Sequence, residues 1–141
     1  PRRPKMAPAG IVSVEDNKMD ALVIKRTLGT LTCEDVTILA TGKEALAFFS
    51  DKKNVPRLIL LDINLPHYTG LEILKRIRTL DHLRGTPIIM FSSSQIDEEI
   101  HLSYWLGANS YVAKPSSHTE LETAITTIYE YWYRTARIIG C

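Results

Sequence analysis

Short, wholly apolar runs recur along the chain, each closed by polar or turn residues: "IVSV" at 11–14, "VTIL" at 36–39, "LILLDI" at 58–63, "IIMF" at 88–91 and "YV" at 111–112. Helical spacing fills the stretches between them. Leu22, Ile24, Leu28 and Leu31 recur through 18–32, Leu71, Leu74 and Ile77 form a stripe in 70–80, and Leu121, Ile125, Ile128 and Trp132 repeat through 119–133. Runs this short and this apolar are strands buried on both faces, and their alternation with helices implies a parallel sheet covered on either side. The punctuation agrees: Asn17 and Asp97 predict helix N-caps, Thr41-Gly42 opens a helix from near Lys43, and Gly107 follows the last periodic residue of the fourth helix. The pattern predicts an α/β fold, a (βα)5 doubly wound parallel five-stranded sheet. It occupies 10–135, between a Pro-rich polar leader at 1–9, expected to be disordered, and a tail at 136–141.

Length and composition narrow the class. At 141 residues the chain holds one domain with a real core, and 45% hydrophobic with 23% charged residues is a globular balance. The net charge of +1 is unevenly laid out: residues 10–133 carry 12 Lys and Arg against 16 Asp and Glu, a balance of −4. A mildly acidic body with basic ends lacks the clustered cations of a nucleic-acid binder. Cys33 and Cys141 stand far apart with no metal-ligand spacing, which suits a reducing compartment. No apolar run approaches a membrane span and no signal peptide is visible, so the expected location is the cytoplasm.

In a doubly wound sheet, ligands bind at the carboxyl ends of the strands. The first run here leads into Glu15-Asp16, the third into Asp62, the fourth into Ser92-Ser93-Ser94 and the fifth into Lys114-Pro115. One edge therefore gathers three carboxylates, hydroxyls and an ammonium. Carboxylates packed this way repel one another and stay ionised only around a cation; all-oxygen ligands with room for water suit Mg²⁺. An aspartate held against such a cation, with a lysine and a hydroxyl nearby, is equipped to take up a phosphoryl group.

The motifs "VEDN" at 14–17, "LLDINLPHYTG" at 60–70, "PIIMFSSS" at 87–94 and "GANSYVAKP" at 107–115 appear in this order across 10–133. The chain thereby resembles the receiver domains of bacterial two-component response regulators, which have a flavodoxin-like fold. The resemblance implies that Asp62 is the phosphoacceptor, with Mg²⁺ held by Asp16 and Asp62, by Glu15 through a coordinated water, and by the Asn64 backbone carbonyl. It makes Ser92 and Tyr111 the switch pair, Lys114 the family's lysine, and Asn64 and Ser94 the positions that tune phosphoryl lifetime. It implies a cis peptide before Pro115 and a sensor histidine kinase as phosphoryl donor. The "TLDHLRGTPIIMFSSS" stretch and the long fifth helix further resemble stand-alone regulators paired with bacterial phytochrome kinases.

Each residue also has a plainer reading. Asp62 would serve as a turn-initiating aspartate, Glu15 and Asp16 as acids at a helix N-terminus, and Tyr111 as a half-buried strand aromatic. His67, His82, His101 and His118 show no ligand spacing. In "SYWL" at 103–106, Ser103 is expected to face inward and Tyr104 and Trp105 outward; with Tyr129 and Tyr133 these aromatics are the candidates for a homodimer contact through the fourth helix, fifth strand and fifth helix.

Other functions fit less well. A phosphatase of the haloacid dehalogenase type wants a second aspartate two residues after its nucleophile, where Asn64 stands and cannot shuttle a proton. A dinucleotide-binding enzyme wants a glycine framework in the first turn, which reads "VEDNKMD".

Overall fold

The computed structural model describes residues 10–138, so the expected leader at 1–9 and the last residues of the tail lie outside it. Five strands alternate with five helices: β1 (Gly10–Val14), α1 (Lys18–Leu31), β2 (Asp35–Leu39), α2 (Gly42–Ser50), β3 (Leu58–Leu61), α3 (Gly70–Ile77), β4 (Ile88–Ser92), α4 (Asp97–Trp105), β5 (Ser110–Ala113) and α5 (His118–Glu130). All strand pairs are parallel, in the order β2-β1-β3-β4-β5.

Period-two alternation sends neighbouring strand residues into two cores. Ile59 and Leu61 pack with Phe49, Ile73, Leu74 and Ile77 beneath α2 and α3. Leu58 and Leu60 face the other way, onto Val23, Ile24, Leu28, Leu121, Ile125 and Ile128 of α1 and α5. The sandwiched strands β1, β3 and β4 are buried along their whole length, which is why they read as unbroken apolar runs.

Several expectations are corrected in detail. Leu22 is exposed and Val23 takes its place in the core. Two residues along a helix turn it by roughly 200°, so Leu22 and Ile24 cannot share a face. Ile96, not Asp97, is the N-cap of α4; Asp97, Glu98 and Glu99 form its first turn, where acids favour the helix dipole. Asn17 and Thr41 do cap α1 and α2, accepting from the Asp20 and Glu44 amides. Gly107 closes α4 at φ 106°, a conformation that glycine adopts without a Cβ penalty.

Helix α5 gives way to a π turn over Tyr131–Thr135 instead of running regularly to 133. Here the aromatic expectation changes. Tyr129 is buried and Tyr133 half-buried, their rings stacked at 4.6 Å. The Tyr133 hydroxyl donates to Glu34 Oε1 at 2.7 Å, and the Arg57 guanidinium, paired with Glu34, lies 4.6 Å from the ring centre. Tyr129 thus closes the inner side of α5, and Tyr133 packs against it with only part of its surface exposed. Tyr104 and Trp105 do face solvent, at 49% and 79% exposure, while Ser103 is buried.

Candidate functional site

Backbone bonds beyond the strand ends fix the residues at the carboxyl edge. The Glu15 amide donates to Leu39 O at 2.9 Å, the Asp62 amide to Val14 O at 3.1 Å, and the Lys114 amide to Ser92 O at 2.8 Å. Each of these side chains is therefore aimed by the neighbouring strand. The close approach of α3 adds to this. Gly70 N–H donates to Ile63 O at 2.7 Å, and a Cβ on Gly70 would overlap the Asp62 carbonyl oxygen. Gly70→Ala is expected to cost about 3 kcal/mol, read as a lower urea midpoint, since backbone on this side has nowhere to move.

Glu15, Asp16 and Asp62 each bring a carboxylate oxygen within 4.8 Å of the others. Glu15 and Asp62 are buried and Asp16 is exposed. Lys114 crosses from the far strand to join them: its Nζ donates to Glu15 Oε1 at 2.7 Å, to Asp62 Oδ2 at 3.0 Å and to Asp20 Oδ2 at 3.0 Å. The other Asp62 oxygen, Oδ1, accepts from the Asn64 amide at 3.2 Å. The second oxygen of Glu15 accepts from the Asn17 amide at 3.1 Å.

Burial, with the Asp62 charge adding to it, pushes the Glu15 carboxyl up to about 7 against the opposing pull of Lys114. Burial alone would lower the Lys114 ammonium, but the Glu15 hydrogen bond, the Asp62 and Glu15 charges and the Asp20 contact outweigh it and hold it above its ordinary value. The structure thus gathers Glu15, Asp16, Asp62 and Lys114, the four charged residues that sequence reasoning put at this edge. It adds Asp20, which sequence reasoning missed. Asp20 lies one helical turn past Asp16 within the same "VEDNKMD" segment, and only the reach of Lys114 gives it a role.

Ser92 ends β4 fully buried, and its Oγ lies 3.4 Å from the Ser94 amide. Tyr111 is half-buried on β5 and its hydroxyl donates to Ser94 O at 2.5 Å. Burial and the charges of Glu99 and Asp62 raise the phenol despite its serine partners. The Tyr111 amide donates to the Tyr104 hydroxyl at 3.0 Å, so Tyr104 also covers the free edge of β5. The Ser94 hydroxyl bonds Glu99, and Asn64 is exposed at the rim. The peptide before Pro115 is trans, contrary to expectation, as among the described residues all are; X–Pro bonds favour trans in the absence of an overriding contact.

An aspartate at the end of a buried strand, two further acids and a lysine salt-bridged to it define a doubly wound domain of the phosphoacceptor class. The chain belongs to the response regulator receiver domain family, whose model matches residues 11–126. It is a phosphoacceptor signalling protein of two-component systems, and family membership implies a histidine kinase partner. It is 32% identical over 137 residues to the response regulator Rcp1 of Synechocystis sp., covering 93% of each chain. A probable methanogenesis regulatory protein, FilR2, of Methanothrix harundinacea is 33% identical over 127 residues, covering 86% of this chain and 82% of that protein. Among solved structures, the phosphorylated cyanobacterial phytochrome response regulator RcpA superposes with TM-score 0.88 at 34% identity, covering 95% of this chain and all of that one. The Mn²⁺-bound form of Rcp1 gives TM-score 0.84 at 30% identity, covering 94% of this chain and 100% of that one. Among the described residues no helix is long and apolar enough to cross a membrane.

Proposed function

We propose that Asp62 accepts a phosphoryl group from a sensor histidine kinase and that the domain thereby changes the surface it shows to partners. The observation that carries this is Lys114 Nζ at 3.0 Å from Asp62 Oδ2, inside a cluster whose other acids are Glu15 and Asp16. The donor set is all oxygen, with one exposed member that leaves room for water, which fits a hard divalent cation such as Mg²⁺. Glu15, Asp16, Asp62 and the Asn64 backbone carbonyl would hold it. When bound, the cation supplies charge neutralisation for the transferring oxygens.

The chain's own residues do the rest. Asp62 Oδ attacks phosphorus, directed by a strand that cannot shift. Lys114 offsets negative charge on the phosphoryl oxygens, and the Ser92 hydroxyl donates to one of them. Ser92 moving inward vacates space that the Tyr111 ring then fills, so the pair transmits the state of Asp62 to β5 and α4. Asn64 and Ser94 border the phosphoryl group and set how readily water attacks it. Incubation with acetyl phosphate and Mg²⁺ is expected to add one phosphoryl group to the intact mass, and EDTA to abolish the gain. No gain, with Mg²⁺ binding demonstrated, overturns the reading.

The likeness to the phytochrome response regulator RcpA favours a phytochrome-type kinase as the donor, and the exposed free Cys33 suits the cytoplasm. Exposed apolar side chains on and beside α4 favour self-association through α4, β5 and α5: Ile96, Leu102, Tyr104 and Trp105 are all exposed. Tyr104→Glu with Trp105→Glu is expected to reduce a dimeric solution mass to that of the monomer in light scattering. An unchanged dimer mass puts the contact elsewhere.

A further inference from the structure

The Lys114 ammonium has three N–H donors and meets three carboxylates, those of Glu15, Asp62 and Asp20. These partners are not equivalent. Asp62 is the reacting group, and Glu15 belongs to the triad whose oxygens would hold a cation. Asp20 is outside that triad. It stands in the first turn of α1, where its own amide donates to Asn17 Oδ1 at 2.9 Å, so its backbone is fixed by the helix cap. Its side chain is 26% exposed against 5% for Lys114, which makes it the outer wall of the lysine's pocket.

We propose that Asp20 is a positioning residue for phosphoryl acceptance, holding the Lys114 ammonium beside Asp62 while the other two carboxylates change partners. This deepens the reading of Asp62 as phosphoacceptor and rests on it. In the transfer, an Asp62 oxygen forms the new bond to phosphorus and the donor's bond to phosphorus breaks, its electron pair leaving with the donor (as acetate, from acetyl phosphate). The Asp62 carboxylate becomes an acyl phosphate and loses its own charge, so it becomes a poorer acceptor for Lys114. The phosphoryl oxygens, which carry the charge afterwards, take up that donor. Asp20 neither reacts nor belongs to the triad that would hold a cation, so it can offer Lys114 the same acceptor atom throughout. A flexible four-carbon lysine stem otherwise sweeps a wide volume, and misplacing a charge at a reacting centre is costly.

An acid in the first turn of a helix also favours the dipole, but that role does not require the side chain to turn onto Lys114. The two are separable on the full-length chain by following phosphoryl uptake from acetyl phosphate by intact mass, with Mg²⁺ affinity measured by calorimetry. Asp20→Ala is expected to slow uptake about tenfold, the scale of one partly solvated hydrogen bond to a charged group. Asp20→Asn, which keeps the acceptor, stays within about threefold of the original rate. Mg²⁺ affinity is unchanged in both. Should Asp20→Ala fail to fold, Asp20→Ser, too short to reach the ammonium, serves in its place. Uptake at the original rate in the shortened variant, with or without a lower melting point, overturns the proposal in favour of a helix-end role. Slowing in step with weaker Mg²⁺ binding overturns it in favour of a cation-site role. No uptake by the unaltered chain removes the phosphoacceptor reading itself, and this inference with it.

Discussion

Asp62→Asn is expected to abolish phosphoryl uptake from acetyl phosphate while leaving the fold intact. The substitution is nearly isosteric, and the oxygen of the new side-chain amide can still accept from the Asn64 backbone amide that now donates to Asp62 Oδ1. The amide cannot attack phosphorus: its oxygen carries no full charge and its nitrogen no available lone pair. Nor does any neighbour substitute for the lost carboxylate. Glu15 is buried, with its oxygens taken by Lys114 and by the Asn17 amide, and Asp16 lies on the exposed side of the cluster. Loss of one buried negative charge also relieves the repulsion with Glu15, so the variant remains folded by circular dichroism. Uptake persisting in this variant would mean that phosphorus bonds elsewhere.

Lys114→Ala carries the largest expected cost in stability. It leaves Glu15 and Asp62 buried without the cation that pairs both of them. Removing one partner from a buried ion cluster costs about 3–5 kcal/mol, readable in urea unfolding of the metal-free chain. The cost depends on pH in a fixed direction. With Lys114 present, Glu15 already titrates near about 7 instead of its ordinary 4.5. Without the lysine's opposing pull it titrates higher. A folded-state value above the unfolded one means that the folded chain binds the extra proton, so stability falls as pH rises between the two. The deficit relative to the unaltered chain therefore grows between about pH 6 and about pH 8. Mg²⁺ is expected to restore part of it by supplying positive charge among the same oxygens. Equal stability of the two chains at both pH values contradicts this account.

The parts of the molecule that were legible in the sequence share a physical cause. A strand buried on both faces must be apolar throughout, so β1, β3 and β4 announced themselves, and the polar residue ending each run had to lie at the carboxyl edge. Glu15 and Asp62 followed from that, and Lys114 from its place just after the shorter, part-buried β5. Asp20 did not, because its role depends on how α1 is rotated and on a lysine 94 residues away. Tyr129 and Tyr133 were misassigned for a related reason. Tyr133 is held by Glu34 and Arg57, which are distant in sequence and have no local signature, and Tyr129 stacks on it within the core. Leu22 was misplaced by spacing alone, which a stricter count along the helix would have caught.

Borohydride reduces an acyl phosphate to the alcohol, so trapping after incubation with acetyl phosphate and Mg²⁺, followed by peptide mass analysis, tests the central claim most directly. The account predicts conversion of Asp62 to homoserine, lost when Mg²⁺ is removed. Conversion at Asp16, Asp20 or Glu15 instead, or none at all in a folded chain that binds Mg²⁺, would contradict it.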